Sequence, residues 1–75
     1  MSDITNYENL ANAVILQAVK DYRMALKCLE RNPKNRTALA DKDEIERFFR
    51  SGWFMVLTSV DGEMLIRSLT MEVDA

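Results

Sequence analysis

Residues 45–57 read IERFFRSGWFMVL and contain four of the six aromatic residues of this 75-residue chain. The four are Phe48, Phe49, Trp53 and Phe54. Gly52, one of only two glycines, lies among them. Because each aromatic side chain buries a large area on folding, we expect this segment to lie where the elements of a small fold meet.

A long amphipathic helix is predicted before this segment, over about residues 5–31. Apolar residues recur there at alternating steps of four and three: Ala11, Ile15, Ala18, Tyr22, Ala25 and Leu29. This spacing is that of a helix with one buried stripe. The helix ends at Asn32-Pro33, because the residue before a proline is disfavoured in the α conformation.

A second helix is predicted over about residues 37–50, with Ile45, Phe48 and Phe49 on its buried side. The short polar loop before it favours an antiparallel arrangement with the first helix. Ser51-Gly52 is expected to end it, since glycine is the usual left-handed residue just past a helix.

The remaining residues, WFMVLTSVDGEMLIRSLT, allow two interpretations. In one, Asp61-Gly62 is the turn of a β-hairpin between two apolar runs. In the other, residues 53–57 form a helical turn and Thr58-x-x-Asp61 caps a third helix. We favour the second, because the run after Gly62 is rich in Met, Leu and Glu, which suit a helix better than a strand.

The predicted fold is therefore all-α, a compact three-helix domain over residues 1–75 with a long N-terminal helix. Two helices plus a hairpin at Asp61-Gly62 remain the alternative. The single Cys28 excludes an internal disulfide. We expect no signal peptide and no membrane span, because no apolar run is long enough for either. A cytoplasmic location is expected.

Catalytic and metal-binding chemistry finds little support in the residue types. The chain has no histidine, the commonest general base and metal ligand, and Cys28 therefore lacks a histidine partner. Four acidic residues cluster on the second helix: Asp41, Asp43, Glu44 and Glu46. They are expected to form a solvated helix face, or else a mimic of nucleic-acid phosphates. We predict no enzyme activity, no cofactor and no metal site.

Positive charge concentrates in residues 20–36, which carry a net charge of +4 against −2 and −4 in the segments before and after. Four basic residues there follow one side of the long helix: Lys20, Arg23, Lys27 and Arg31. We call them the basic stripe. Such a stripe is an ordinary solvated face, a surface for an acidic protein partner, or a site for nucleic-acid phosphates.

The aromatic residues offer a second candidate binding surface. In so small a chain, the pairs Phe48–Phe49 and Trp53–Phe54 are not expected all to point inward, and aromatic residues are enriched at interface centres. We predict that Trp53 and Phe54, together with the basic stripe, contact a partner or a second copy of the chain.

Two segments, NLANAVILQAVKDYR (residues 9–23) and EIERFFRSGWFMVLTSVDGEMLIRSL (residues 44–69), resemble a family of short, mostly uncharacterised proteins. That family is encoded in prophages and mobile elements of Firmicutes. The resemblance covers about residues 7–73 and implies a helical fold and a mobile-element origin. It implies no activity and assigns no functional residue.

These observations lead to the hypothesis of a non-enzymatic interaction protein that binds a host macromolecule. Inhibition of a defence complex, such as a CRISPR effector, is its most concrete form. The alternatives are a small nucleic-acid-binding or regulatory protein that uses the basic stripe, and a homo-oligomeric structural protein that uses the heptad-like apolar stripe.

Overall fold

The computed structural model describes the backbone of residues 3–74 and the side chains of residues 8–72. It contains four helices: α1 (Asp3–Arg31), α2 (Arg36–Phe49), α3 (Gly52–Leu57) and α4 (Gly62–Asp74). Residues 3–74 include no strand. The all-α prediction is thus confirmed, with the predicted helical turn at residues 53–57 forming the short helix α3, and the alternative hairpin is not formed.

The long helix α1 ends at the predicted residue, Arg31. Its apolar stripe faces the rest of the chain: Ala11, Tyr22 and Ala25 are buried, and Ile15 and Ala18 pack against the core. Much of the stripe on which the homo-oligomer alternative depended is therefore packed against the chain's own helices.

Helix α2 runs back along α1, as the short loop predicted. Asn35 caps its start by accepting a 3.0 Å hydrogen bond from the backbone N–H of Ala38. The amide of the same Asn35 side chain donates to the Cys28 sulfur at 3.2 Å. Near the other end of α2, Glu46 contacts Tyr22, so the two helices are antiparallel.

Helix α2 ends close to the predicted position, but a left-handed glycine is not the reason. Gly52 has no left-handed backbone, since neither glycine has a positive φ, and it is the first residue of α3. Ser51 is the residue that changes direction, with extended backbone angles of φ −80° and ψ 159°. Its hydroxyl donates to the Phe48 carbonyl at 2.6 Å and accepts from the Phe54 N–H at 3.2 Å. Ser51 thereby ends α2 and caps α3.

Asp61, rather than Thr58, caps α4. The Asp61 carboxylate accepts hydrogen bonds from the backbone N–H groups of Glu63 at 2.9 Å and Met64 at 3.3 Å. The Thr58 hydroxyl instead accepts from the N–H of Val60 at 3.2 Å, within the loop before α4. The predicted capping box is therefore wrong, although the helix that it was predicted to start is present.

The core lies where α1, α2, α3 and α4 meet, and it is built on the segment with the four aromatic residues. Its buried members are Tyr22, Leu26, Phe49, Phe54, Ile66 and Leu69. The Phe49 ring contacts Tyr22 edge-on, with centroids 5.7 Å apart, and Phe54 edge-on at 5.5 Å. Such edge-to-face pairs add to the stabilisation that burial alone provides.

Candidate interaction surfaces

The basic stripe lies on the side of α1 that faces away from the core. Lys20, Lys27 and Arg31 are exposed and Arg23 is half-buried. The structure thus brings these four side chains to one surface of the helix, as their spacing predicted.

Acidic groups partly neutralise the basic stripe. The Arg23 guanidinium donates two hydrogen bonds to Glu72 in α4, at 2.6 Å and 3.1 Å. This pairing raises the pKa of Arg23 above its ordinary value and lowers the pKa of Glu72, to which the charge of Lys27 also contributes. Glu72 and Glu30 line one shallow depression together with Lys27 and Arg31. The stripe therefore presents fewer uncompensated charges than the sequence indicates.

The two aromatic residues predicted to meet a partner are separated by the fold. The Phe54 side chain is completely buried and packs edge-on against Phe48 and Phe49. The predicted partner contact of Phe54 is therefore wrong, because no part of its ring reaches the surface. Trp53, the residue before it in α3, points outward and is 60% exposed.

Trp53 belongs to a larger set of exposed apolar residues. Five of the twelve residues from 53 to 64 are large, apolar and more than half exposed: Trp53, Met55, Val56, Val60 and Met64. We call this set the apolar segment. Exposed apolar side chains mark an interaction site where they adjoin to form a patch, so this segment is a candidate site. Of these five residues, only Trp53 was predicted from the sequence to meet a partner, because the inward side of α3 and α4 depends on where each helix begins.

A groove of about 740 Å³ runs between α1 and α2. Its floor is formed by apolar residues from both helices: Val14, Ala18, Ala25, Ala38, Ile45 and Phe48. Asp21 of α1 and Asp41 and Glu44 of α2 also line it. No lysine or arginine is among the described residues that line this groove. This groove is not evident from the sequence, because its two sides lie about twenty residues apart in the chain.

A network of charged and hydroxyl groups crosses the opposite side of α2. Glu46 accepts a hydrogen bond from Tyr22 at 2.6 Å and forms ion pairs with Lys42 at 2.8 Å and Arg50 at 3.4 Å. Arg50 also pairs with Glu63 of α4. This network joins α1, α2 and α4. Each of its charged or hydroxyl groups is paired with another group of the chain, which indicates a structural role.

The environment of this network shifts two pKa values. Burial and the hydrogen bond to Glu46 raise the pKa of Tyr22 to about 12. Burial by itself raises the pKa of Glu46, but the hydrogen bonds from Lys42 and Tyr22 and the charges of Lys42 and Arg50 outweigh it and lower that pKa. The two shifts keep Tyr22 protonated and Glu46 ionised, which are the states in which the Tyr22 hydroxyl donates to the Glu46 carboxylate.

Within the described part of the chain, no cluster of three or more acidic or cysteine side chains is arranged to hold a metal ion. None of the helices described for residues 3–74 combines the length and the apolar character needed to cross a bilayer. Comparison with models of protein families, with curated proteins and with solved structures gave no significant match.

Proposed function

We propose that this protein is a non-enzymatic interaction protein of phage or mobile-element type, which acts by covering a surface of a host protein or nucleoprotein. Inhibition of a cytoplasmic defence complex, such as a CRISPR effector, is the most concrete form of the proposal. The observation that supports binding is the exposure of the apolar segment, with Trp53 at one end.

The free energy of burying apolar side chains indicates that several of these residues would have to contact a partner together. Fully burying one large apolar side chain contributes about 1.5–3 kcal/mol, whereas micromolar affinity requires about 8 kcal/mol. Trp53 alone is therefore insufficient. Further residues of the apolar segment would have to be buried with it, because association also costs translational and rotational freedom. Tryptophan is also the residue type most enriched among those that dominate binding energy.

Nucleic-acid binding is the second candidate, and the basic stripe favours it. Each phosphate contact requires an uncompensated positive charge, whereas Arg23 is already held by Glu72. Lys20, Lys27 and Arg31 remain, beside Glu30. With a net charge of −2 for the whole chain, this arrangement supports weak binding to free nucleic acid at most.

Affinity capture from a host lysate, with and without nuclease treatment, tests the proposal. The tagged protein is expected to retain one host protein or complex in stoichiometric amount after nuclease treatment. Replacement of Lys20 and Lys27 by Glu serves as the charge variant, and Trp53→Ala as the apolar variant. Loss of all captured material on nuclease treatment, together with submicromolar binding of naked DNA or RNA that the charge variant abolishes, would promote the second candidate.

A further inference from the structure

We propose that the groove between α1 and α2 binds a basic amphipathic helix of a protein partner. The apolar side of that helix would lie on the groove floor, and its lysines and arginines would lie along the acidic rims. This groove is a different surface from the apolar segment. The basic helix would therefore be a contact beyond those of the proposed function.

The floor of the groove suits the side chains of an incoming helix. Small residues from the two helices, Ala18, Ala25 and Ala38, leave space, while Ile45 and Phe48 supply apolar area beside it. Met24 at the rim is 69% exposed, and methionine adapts its shape readily to a bound surface. A helix laid into an apolar groove, with anchors three or four residues apart, is a recurrent mode of peptide recognition.

The rims determine the charge of the occupant. Asp21 lies on one side of the groove, and Asp41 and Glu44 lie on the other. Among the ion pairs that the described side chains form, none involves these three carboxylates. A ligand with lysines or arginines on both flanks of its apolar side would therefore meet a carboxylate on each side.

Other occupants are disfavoured by the same charges. A second copy docked groove to groove about a two-fold axis would place the carboxylates of the two copies opposite one another, and like charges so placed are repulsive. Nucleic-acid phosphates would be repelled in the same way. Complementary charge therefore selects a cationic helix.

The length of the groove sets the length of the probe. Helix α2 has 14 residues and is about 21 Å long at about 1.5 Å per residue. The test uses a labelled helical peptide of about 14 residues, with leucines on one side and lysines on both flanks. A second peptide carries glutamates in place of the lysines. Binding of each to the full chain is measured by fluorescence anisotropy.

The lysine peptide is expected to bind with saturation, and the glutamate peptide is expected not to bind. The double variant Asp41→Lys/Glu44→Lys should weaken binding of the lysine peptide by about tenfold or more. Asp43→Lys makes the charge change of one of these two substitutions on the same helix, at an exposed residue that does not line the groove, and should leave the affinity unchanged. Circular dichroism confirms that each variant is folded.

Three results would overturn the inference. These are equal binding of the two peptides, equal loss of affinity per introduced lysine in the Asp43→Lys control and the double variant, and absence of saturable binding at about 1 mM peptide. Sedimentation showing a dimer of the free protein that Met24→Glu dissociates would assign the groove to a second copy instead. Trp53→Ala should not alter peptide binding, so failure here is distinguishable from failure of the proposed function.

Discussion

The Tyr22 hydroxyl donates a 2.6 Å hydrogen bond to the carboxylate of Glu46, which lies 24 residues later in the chain. This bond joins α1 to α2 at the edge of the aromatic core. Lys42 pairs with the same carboxylate oxygen, Oε2, and Arg50 pairs with the other, Oε1. Because the folded state lowers the pKa of one partner and raises that of the other, the bond makes folding sensitive to both acid and alkali.

Acid should weaken the fold through Glu46. Its pKa is lower in the folded chain than the ordinary value, so its contribution to stability is present above the ordinary pKa and is lost as the pH falls through the folded pKa. We expect Tm to drop below about pH 4.5. Glu46→Gln should lower Tm at neutral pH and reduce the further drop in acid. An identical acid profile in Glu46→Gln and the wild type would show that other carboxylates cause it.

Alkali should weaken the fold through Tyr22. The pKa of Tyr22 is raised from 10.0 to about 12, so its contribution is present below the unfolded pKa of 10.0 and is lost as the pH rises through about 12. Ultraviolet absorbance should show one tyrosine ionising at about pH 12, and Tyr22→Phe should remove that transition. Ionisation of Tyr22 with an ordinary pKa in the folded chain would contradict this environment.

The two glycines should respond in opposite ways to alanine. A Cβ added at Gly62 would lie 1.9 Å from the Phe49 carbonyl oxygen, whereas a Cβ at Gly52 would meet no atom within 4 Å. Gly62→Ala should therefore destabilise by about 1–3 kcal/mol or more, because backbone must move. Gly52→Ala, at the start of α3, should be neutral or stabilise by about 0.4–1 kcal/mol. Urea denaturation measures both, and equal effects would refute the close approach of α4 to α2.

Adjacent aromatic residues on α3 should differ in the same measurement. Phe54 is completely buried, so Phe54→Ala should cost about 3–5 kcal/mol, a large part of the total stability of a small domain. Trp53 is mostly exposed, and Trp53→Ala should cost less than about 1 kcal/mol. A Trp53→Ala variant as unstable as Phe54→Ala would place Trp53 in the core and remove it from the candidate interface.

Periodicity predicted the helical class, the end of α1 and the inward stripe of α1, because a long repeat fixes which side of a helix is buried. It did not separate Phe54 from Trp53. In a helix of only six residues, the residue at which the helix begins decides which side chains face inward. The start of α3 depends on the hydrogen bonds of Ser51 to Phe48 and Phe54.

The remaining discrepancies also arise from contacts between distant residues. Thr58 and Asp61 are both good capping residues, and the sequence does not decide between them. In the folded chain the first residue of α4, Gly62, lies against the Phe49 carbonyl, where a Cβ would be 1.9 Å from the oxygen. Asp61, the residue before it, caps the helix. The acidic groove was not predicted for a similar reason, since helices α1 and α2 each contribute one side of it.

The most direct test of the central claim, that the protein acts through protein contacts made by the apolar segment, is the amount of host partner captured by three forms of the chain. These are the wild type, Trp53→Ala, and Met71→Ala as a control that removes another exposed apolar side chain, near the end of α4. After nuclease treatment, we expect the wild type and Met71→Ala to retain the partner equally and Trp53→Ala to lose most of it while remaining folded. Undiminished capture by folded Trp53→Ala, or a partner that disappears with nuclease from all three forms, would contradict the claim.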